Sequence, residues 1–413
     1  NTAADDMGDG EALAINGIET VTINSTAVGA TSQDFGAITM TGDTGATDTI
    51  NFTGSDIVTV GAITAEVIDA SGLTAAESGT TFSMGAAAVG VTTITGSGGA
   101  DTLVGDAAST ITGGGGNDTI TGGSGNDTLN GGTGNDTITV GAGSDTVDAG
   151  AGDDTVTLAV AADASSGDTI AGGAGTDTLS LVEAVTAAEM VNLSGFETLS
   201  LADGSIQDMA VFAANTTFTA ITQTDVVAAD NLVITNMGAG ITTLNLQDSD
   251  GNLDVSFDRL VDGAANSITI NSSATQATDY QDVTIDDEET VIINSGNATT
   301  ETLTIEDLIS TDMTSLTLTG TAAITIENAI GTGTGLATID ASSMTAAVDI
   351  DSSNSIATQT FTGGSAGDTF TGGINVDTIT GGGGADTLTG GGGADTITGG
   401  AGADTLLDGG AGA

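Results

Sequence analysis

Ten aspartates divide into two runs of five with a fixed spacing of nine residues: Asp118, Asp127, Asp136, Asp145 and Asp154, then Asp368, Asp377, Asp386, Asp395 and Asp404. Glycines precede each one, and a large apolar side chain follows two residues later. These are Ile120, Leu129, Ile138, Val147 and Val156 in the first run, and Phe370, Ile379, Leu388, Ile397 and Leu406 in the second. Oxygen is the donor this pattern offers. Carboxylates supply it, and so do carbonyls exposed in glycine turns, because glycine tolerates positive φ. An all-oxygen set suits a hard cation, and calcium, with six to eight ligands at about 2.3–2.6 Å, suits it better than magnesium with its strict octahedron.

The repeating unit reads G-G-x-G-x-D-x-U-x, with U apolar. Its glycine half makes a tight turn. Its D-x-U half predicts a short strand with the apolar residue inward and the flanking threonines outward. Two units make a coil of about 18 residues, and coils stack at roughly 4.8 Å. Stacking sets equivalent carboxylates one above another, where two unit charges repel by roughly 3.5 kcal/mol at an effective dielectric of 20. A cation must cancel that repulsion. One large apolar residue per nine is also a thin core, so metal binding must supply much of the folding free energy.

Residues 113–157 and 363–407 resemble the RTX (repeats-in-toxin) nonapeptide family of secreted bacterial proteins. The resemblance implies an all-β, right-handed parallel β-solenoid with two calcium-binding β-roll segments and multiple Ca²⁺ ions. It places each ion between loops two repeats apart. Carried over, Asp118 pairs with Asp136, Asp127 with Asp145 and Asp136 with Asp154; Asp368 pairs with Asp386, Asp377 with Asp395 and Asp386 with Asp404. Carbonyl ligands are implied at Gly114, Gly116, Gly123, Gly125, Gly132 and Gly134, and at Gly382, Gly384, Gly391, Gly393, Gly400 and Gly402. Further matches at 96–104 and 172–180 add Asp101 and Asp177 as ligands. Val140 and Ala149 replace a first glycine, and Ile374-Asn375-Val376 replaces x-Gly-x; weaker binding is expected at those turns.

Composition fits this reading. The 413 residues hold 56 acids and one base, Arg259, for a net charge of −55, with no His, Cys, Pro or Trp. Such acidity usually means disorder, yet 38% hydrophobic residues and a mean hydropathy of +0.21 argue for a folded chain. Nucleic acid is excluded as a partner, since binding it requires a basic surface. Disulfides are excluded with cysteine, and membrane insertion by a helix is excluded because no run approaches about 20 apolar residues. Gly363-x-Ser365-x-Gly367 spells a nucleophile elbow, but it lies inside a nonapeptide and no histidine exists to act as its base. The start at Asn1 and the end within a repeat suggest a fragment or processed product.

Outside the glycine blocks, short Thr-, Ile- and Val-rich strands such as those at 21–23, 268–270 and 316–318 recur between turn residues, which favours a solenoid. Short helical turns are conceivable at 185–190 and 207–214. The sequences at 19–25 and 68–76 recur at 289–295 and 339–347, so the chain reads as a duplicated module. The expected segments are a β-solenoid at 1–95, RTX roll 1 at 96–180, an intervening β-rich part at 181–287, a second solenoid at 288–362 and RTX roll 2 at 363–413. Asp248–Asp254 resembles a calcium loop without its closing glutamate. The acids at 5–11 and 286–289 read as solvated, and Arg259 as a local ion pair with Asp258 or Asp262.

The functional expectation is a non-enzymatic, secreted, cell-surface structural protein, folded by calcium and self-assembling into a surface layer or filament. The chain is similar to bacterial S-layer proteins that carry RTX repeats and leave by type I secretion. Its partners would be further copies of itself and cell-surface polysaccharide. Two alternatives are the calcium-rigidified stalk of a secreted RTX adhesin and the non-catalytic RTX tail of a secreted enzyme.

Overall fold

A computed structural model describes residues 12–25, 32–41, 47–55, 57–74, 82–84, 90–159, 163–185, 192–202, 206–212, 215, 217–224, 231–246, 253–261, 266–272, 278–296, 302–328, 330 and 335–407. The acids at 5–11, most of the 248–254 loop and residues 186–190 lie outside them. The described residues are strands and turns, with one 3₁₀ turn at Met209–Phe212 inside the 207–214 stretch. None of their helices is long and apolar enough to cross a membrane. The chain forms two compact units, Asn1–Leu199 with Val211–Thr217, and Ser200–Ala210 with Phe218–Ala413. Each is a β-solenoid of parallel strands.

In the first unit the early coils have three faces. Leu13–Asn16, Ile38–Thr41 and Ile63–Thr64 form a short third sheet beside the two long ones. From Thr93 onward the coils flatten to two faces. Thr110–Gly115, Thr128–Thr133 and Thr146–Ala151 stack in one sheet, and Thr119–Thr121, Thr137–Thr139 and Thr155–Leu158 in the other. Thr119 aligns with Thr137 and Thr137 with Thr155, so the nonapeptide pair is one coil.

The second unit alternates between two parallel sheets in the same way. Thr290 aligns with Ser315 and Ser315 with Thr338 across wide coils. Thr360 then aligns with Thr378 and Thr378 with Thr396, so the coil shortens where the glycine block begins.

The core explains the shortening. Strands of the wide coils bury two large residues each, such as Leu244 with Leu246 and Leu316 with Leu318. In the glycine coils the first inward position holds Ile120, Leu129, Ile138, Val147 or Val156, all at most 1% exposed. The second inward position falls on Gly122 or Gly131, where a Cβ would overlap the carboxylate of Asp127 or Asp136 and a carbonyl of the next coil. Most repeats give up side-chain volume there, where the carboxylate and the carbonyl crowd a Cβ. Val140 and Ala149 fill the same inward position and are fully buried. At the entry to the second block, Phe361 and Phe370 stack face to face across the core, with centroids 4.3 Å apart. On the outer surface Asn245, Asn271 and Asn294 form an amide ladder from coil to coil.

Arg259 differs from its sequence reading. Its Nε donates to Glu288 one coil on, and its other nitrogens donate to the carbonyls of Gly238 (3.0 Å) and Ile241 (3.1 Å). Neighbouring strand residues face opposite sides, so Asp258 is exposed while Arg259 is buried. Glu288, read as a solvated acid, is wholly buried as the partner of this one cation.

Leu388 is fully buried in a glycine coil, whereas Ile374 is 61% exposed at a turn. Leu388→Ala should therefore cost about 2–5 kcal/mol, and Ile374→Ala no more than about 0.5 kcal/mol. Urea denaturation of both variants in calcium checks this; equal losses would contradict the inward assignment.

Candidate metal centre

The aspartates form vertical columns, each rung built the same way. The N–H of Asp118 donates to Oδ1 of Asp136 (2.8 Å), and that of Asp136 to Oδ1 of Asp154 (2.7 Å). Asp101 extends this column on one side and Asp177 on the other, through Asp118 Oδ1 (2.8 Å) and Asp154 N–H (2.9 Å). A parallel column joins Asp127 to Asp145 (2.7 Å). In the second block Asp368 meets Asp386 (2.8 Å), Asp386 meets Asp404 (3.2 Å) and Asp377 meets Asp395 (2.9 Å). Residues two repeats apart are thus brought together in every implied pair. The linking group is a backbone N–H, which holds each carboxylate in place.

Each rung leaves a second oxygen, and its surroundings divide the aspartates. Oδ2 of Asp118, Asp127, Asp136, Asp145, Asp154, Asp177, Asp386 and Asp395 is buried with no hydrogen-bond partner among the described residues. Oδ2 of Asp101, Asp368 and Asp377 instead accepts the N–H of Ser97, Gly364 (2.7 Å) and Gly373 (3.1 Å), four residues earlier in the same turn.

An unpaired carboxylate inside a protein pushes its own protonation upward. Burial raises Asp118 to about 7, helped by the charges of Asp101 and Asp136 and opposed by the Asp101 N–H. Burial likewise raises Asp136 and Asp145 to about 6. Asp127, Asp154, Asp177, Asp368 and Asp377 move in the same direction for the same leading reason.

These residues fit calcium. The orphaned Oδ2 atoms need a positive partner, and the donors at hand are oxygens. No three acidic side chains converge on one point among the described residues, so an ion there would complete its shell from backbone carbonyls. All twelve glycines implied as carbonyl ligands have positive φ, between 87° at Gly391 and 153° at Gly402. Not every turn carbonyl is idle, however. That of Gly123 accepts the Ala142 N–H (3.0 Å) as part of the inter-coil ladder, which leaves it one lone pair.

Sequence reading missed several column members. Asp168 accepts the Asp145 N–H (2.7 Å), and Glu197 accepts that of Asp177 (2.9 Å). Glu289 takes the same role toward Asn266 (2.7 Å), far from either glycine block. Their shared signal is an acid followed by threonine and an apolar residue: Asp168-Thr169-Ile170, Glu197-Thr198-Leu199 and Glu289-Thr290-Val291. A second, exposed column runs beside the aspartates, where Asn117 and Asn135 accept the N–H of Asn135 and Asp153.

The raised pKa values fix a pH dependence. Between the unfolded value near 3.9 and the folded values of about 6–7, the folded blocks hold more protons than the unfolded chain. Metal-free stability is therefore full below about pH 4 and lost as pH rises through about 6–7. Circular dichroism melts in EGTA should show more β-structure at pH 5 than at pH 8, and calcium at pH 8 should restore it. Identical metal-free melts at both pH values would refute the buried-charge account.

A family model described as the RTX calcium-binding nonapeptide repeat (4 copies) matches residues 95–129, 105–138, 121–156, 165–181, 362–397, 371–406 and 382–413. These spans contain the aspartate columns of both blocks. No curated protein matches the chain. Stacked parallel coils, glycine turns with positive φ and in-phase buried carboxylates are the structural form of that repeat, and the chain carries RTX calcium-binding nonapeptide repeats in two separate blocks, within residues 95–181 and 362–413.

Proposed function

We propose that this is an extracellular structural protein without catalytic activity, folded by calcium and joined by it to further copies in a surface layer or filament. The observation that carries the reading is the sign of its surface. The chain has a net charge of −55, and its single cationic side chain is spent on Glu288 in the interior. Two copies therefore meet as like-charged bodies. Divalent cations between surface carboxylates supply the opposite charge that such a contact needs. Inside each block the open carboxylates do the same for folding: they hold their geometry through the N–H rungs and present oxygen to the ion. Because the unfolded chain lacks such a site, binding free energy becomes folding free energy.

The absence of catalytic activity is supported by chemistry. Neither histidine nor cysteine occurs, and the hydroxyl of Ser365 in the G-x-S-x-G sequence donates to the Met344 carbonyl (3.4 Å). Outward-facing ladders of threonine and asparagine give the solenoid a polar face suited to sugar hydroxyls, so cell-surface polysaccharide is the second partner of this reading.

Electron microscopy and light scattering with calcium and with EGTA test the proposal. Ordered sheets or filaments should appear only with calcium. Monodisperse rods under both conditions would overturn self-assembly and favour the stalk of a secreted adhesin.

A further inference from the structure

The two classes of carboxylate are separated by one backbone feature, the φ of the second residue of the repeat. For the eight open aspartates that residue is Gly114, Gly123, Gly132, Gly141, Gly150, Gly173, Gly382 or Gly391, each with φ between 87° and 116°. For Asp101, Asp368 and Asp377 it is Ser97, Gly364 or Gly373, none with positive φ, and its N–H closes on Oδ2. Asp168 is closed in a similar way, three residues from its donor, by the N–H of Ser165. The nature of the first residue does not matter: Asp145 and Asp154 remain open although Val140 and Ala149 stand in place of the first glycine.

The closed members occupy particular rungs. Asp101 opens its column, and its Oδ1 takes the N–H of Phe82 from the preceding wide coil (2.6 Å). Asp368 and Asp377 open the two columns of the second block, facing the N–H of Val348 (2.9 Å) and of Gln359 (2.8 Å). Asp168 is the far end of the column that begins at Asp127. Both oxygens of these carboxylates are satisfied by the backbone. Backbone N–H bonds on both oxygens oppose the desolvation of these carboxylates and leave neither oxygen free for a cation.

We infer that only the open aspartates bind calcium, and that Asp101, Asp168, Asp368 and Asp377 are metal-free adaptors joining the calcium-dependent coils to neighbouring coils of the solenoid. The inference rests on the calcium reading above and narrows it to particular rungs. It removes Asp101, Asp368 and Asp377 from the ligand set that the family resemblance implies. It also restores the turns carrying Val140 and Ala149, where weaker binding was expected.

Bound calcium per full-length chain, counted by native mass spectrometry and by equilibrium dialysis with ⁴⁵Ca, tests this. Asp136→Asn and Asp386→Asn replace an open oxygen with an amide and should each lower the count by at least one. Asp101→Asn and Asp377→Asn should leave it unchanged. The two classes should also diverge in EGTA. Removing an open charge should raise the metal-free melting temperature, whereas an amide facing the Ser97 or Gly373 N–H should lower it. Equal loss of calcium from both classes, or no loss from the open class, would overturn the partition while leaving calcium binding intact. A wild-type chain that binds no calcium would instead overturn the underlying reading. If a variant in one block does not fold, its counterpart in the other block supplies the same comparison.

Discussion

Carboxylates held inside a stack of coils are the constraint on which the glycine blocks depend. Each is fixed by a backbone N–H from an adjacent coil, so the rungs are rigid, and the second oxygen of most of them faces no donor. A charge in that position is costly unless it is paired. The folded blocks can relieve it by protonation or by a cation. At neutral pH and above the cation is the effective route. The inward glycine that gives up core volume belongs to the same constraint, because the carboxylate and a carbonyl crowd a Cβ there.

The protein solves the buried-carboxylate problem in three ways. Glu288 is neutralised by Arg259, the chain's own cation. The adaptor aspartates accept backbone N–H bonds on both oxygens, which offset part of the cost of burial. The remaining columns leave an oxygen for an external ion. With a single basic residue in 413, the first solution is available once. The second requires a turn with negative φ at its second position, which the regular glycine repeat does not adopt. The repeat sequence thus commits most of its acids to the third, and stability becomes a function of calcium concentration through mass action.

The wide coils have a fuller core, although Asp48 Oδ1 is also buried there without a hydrogen-bond partner among the described residues. Two large inward residues per strand, aromatic contacts and the asparagine ladder stabilise them. Their acids at the same rung, such as Glu289, take one backbone N–H as the aspartates do. Coils of both kinds share one stacking geometry, so the calcium-dependent blocks can build on wide-coil neighbours with no change in strand direction.

Much of this was written in the sequence. A nine-residue period with an apolar residue in phase determines coil length, the inward position and the pairing of aspartates two repeats apart, because strand stacking allows one register for a strict repeat. Glycine at fixed offsets determines where positive φ can occur. Only the tertiary structure decided the rest. The closing of Asp368 and Asp377 left a trace in the sequence, since Ala366 and Asn375 stand where the open turns have a glycine two residues before the aspartate, but the loss of positive φ at Gly364 and Gly373 and the N–H that closes on each Oδ2 were decided by the tertiary structure. The partner of Arg259 was hidden because it lies one coil away, and strand alternation turns the neighbouring Asp258 outward. Glu197 and Glu289 escaped notice because they keep the rung without the glycine run. The period fixes what repeats along the chain, whereas the fate of each second oxygen depends on local backbone torsion and on the coil packed against it.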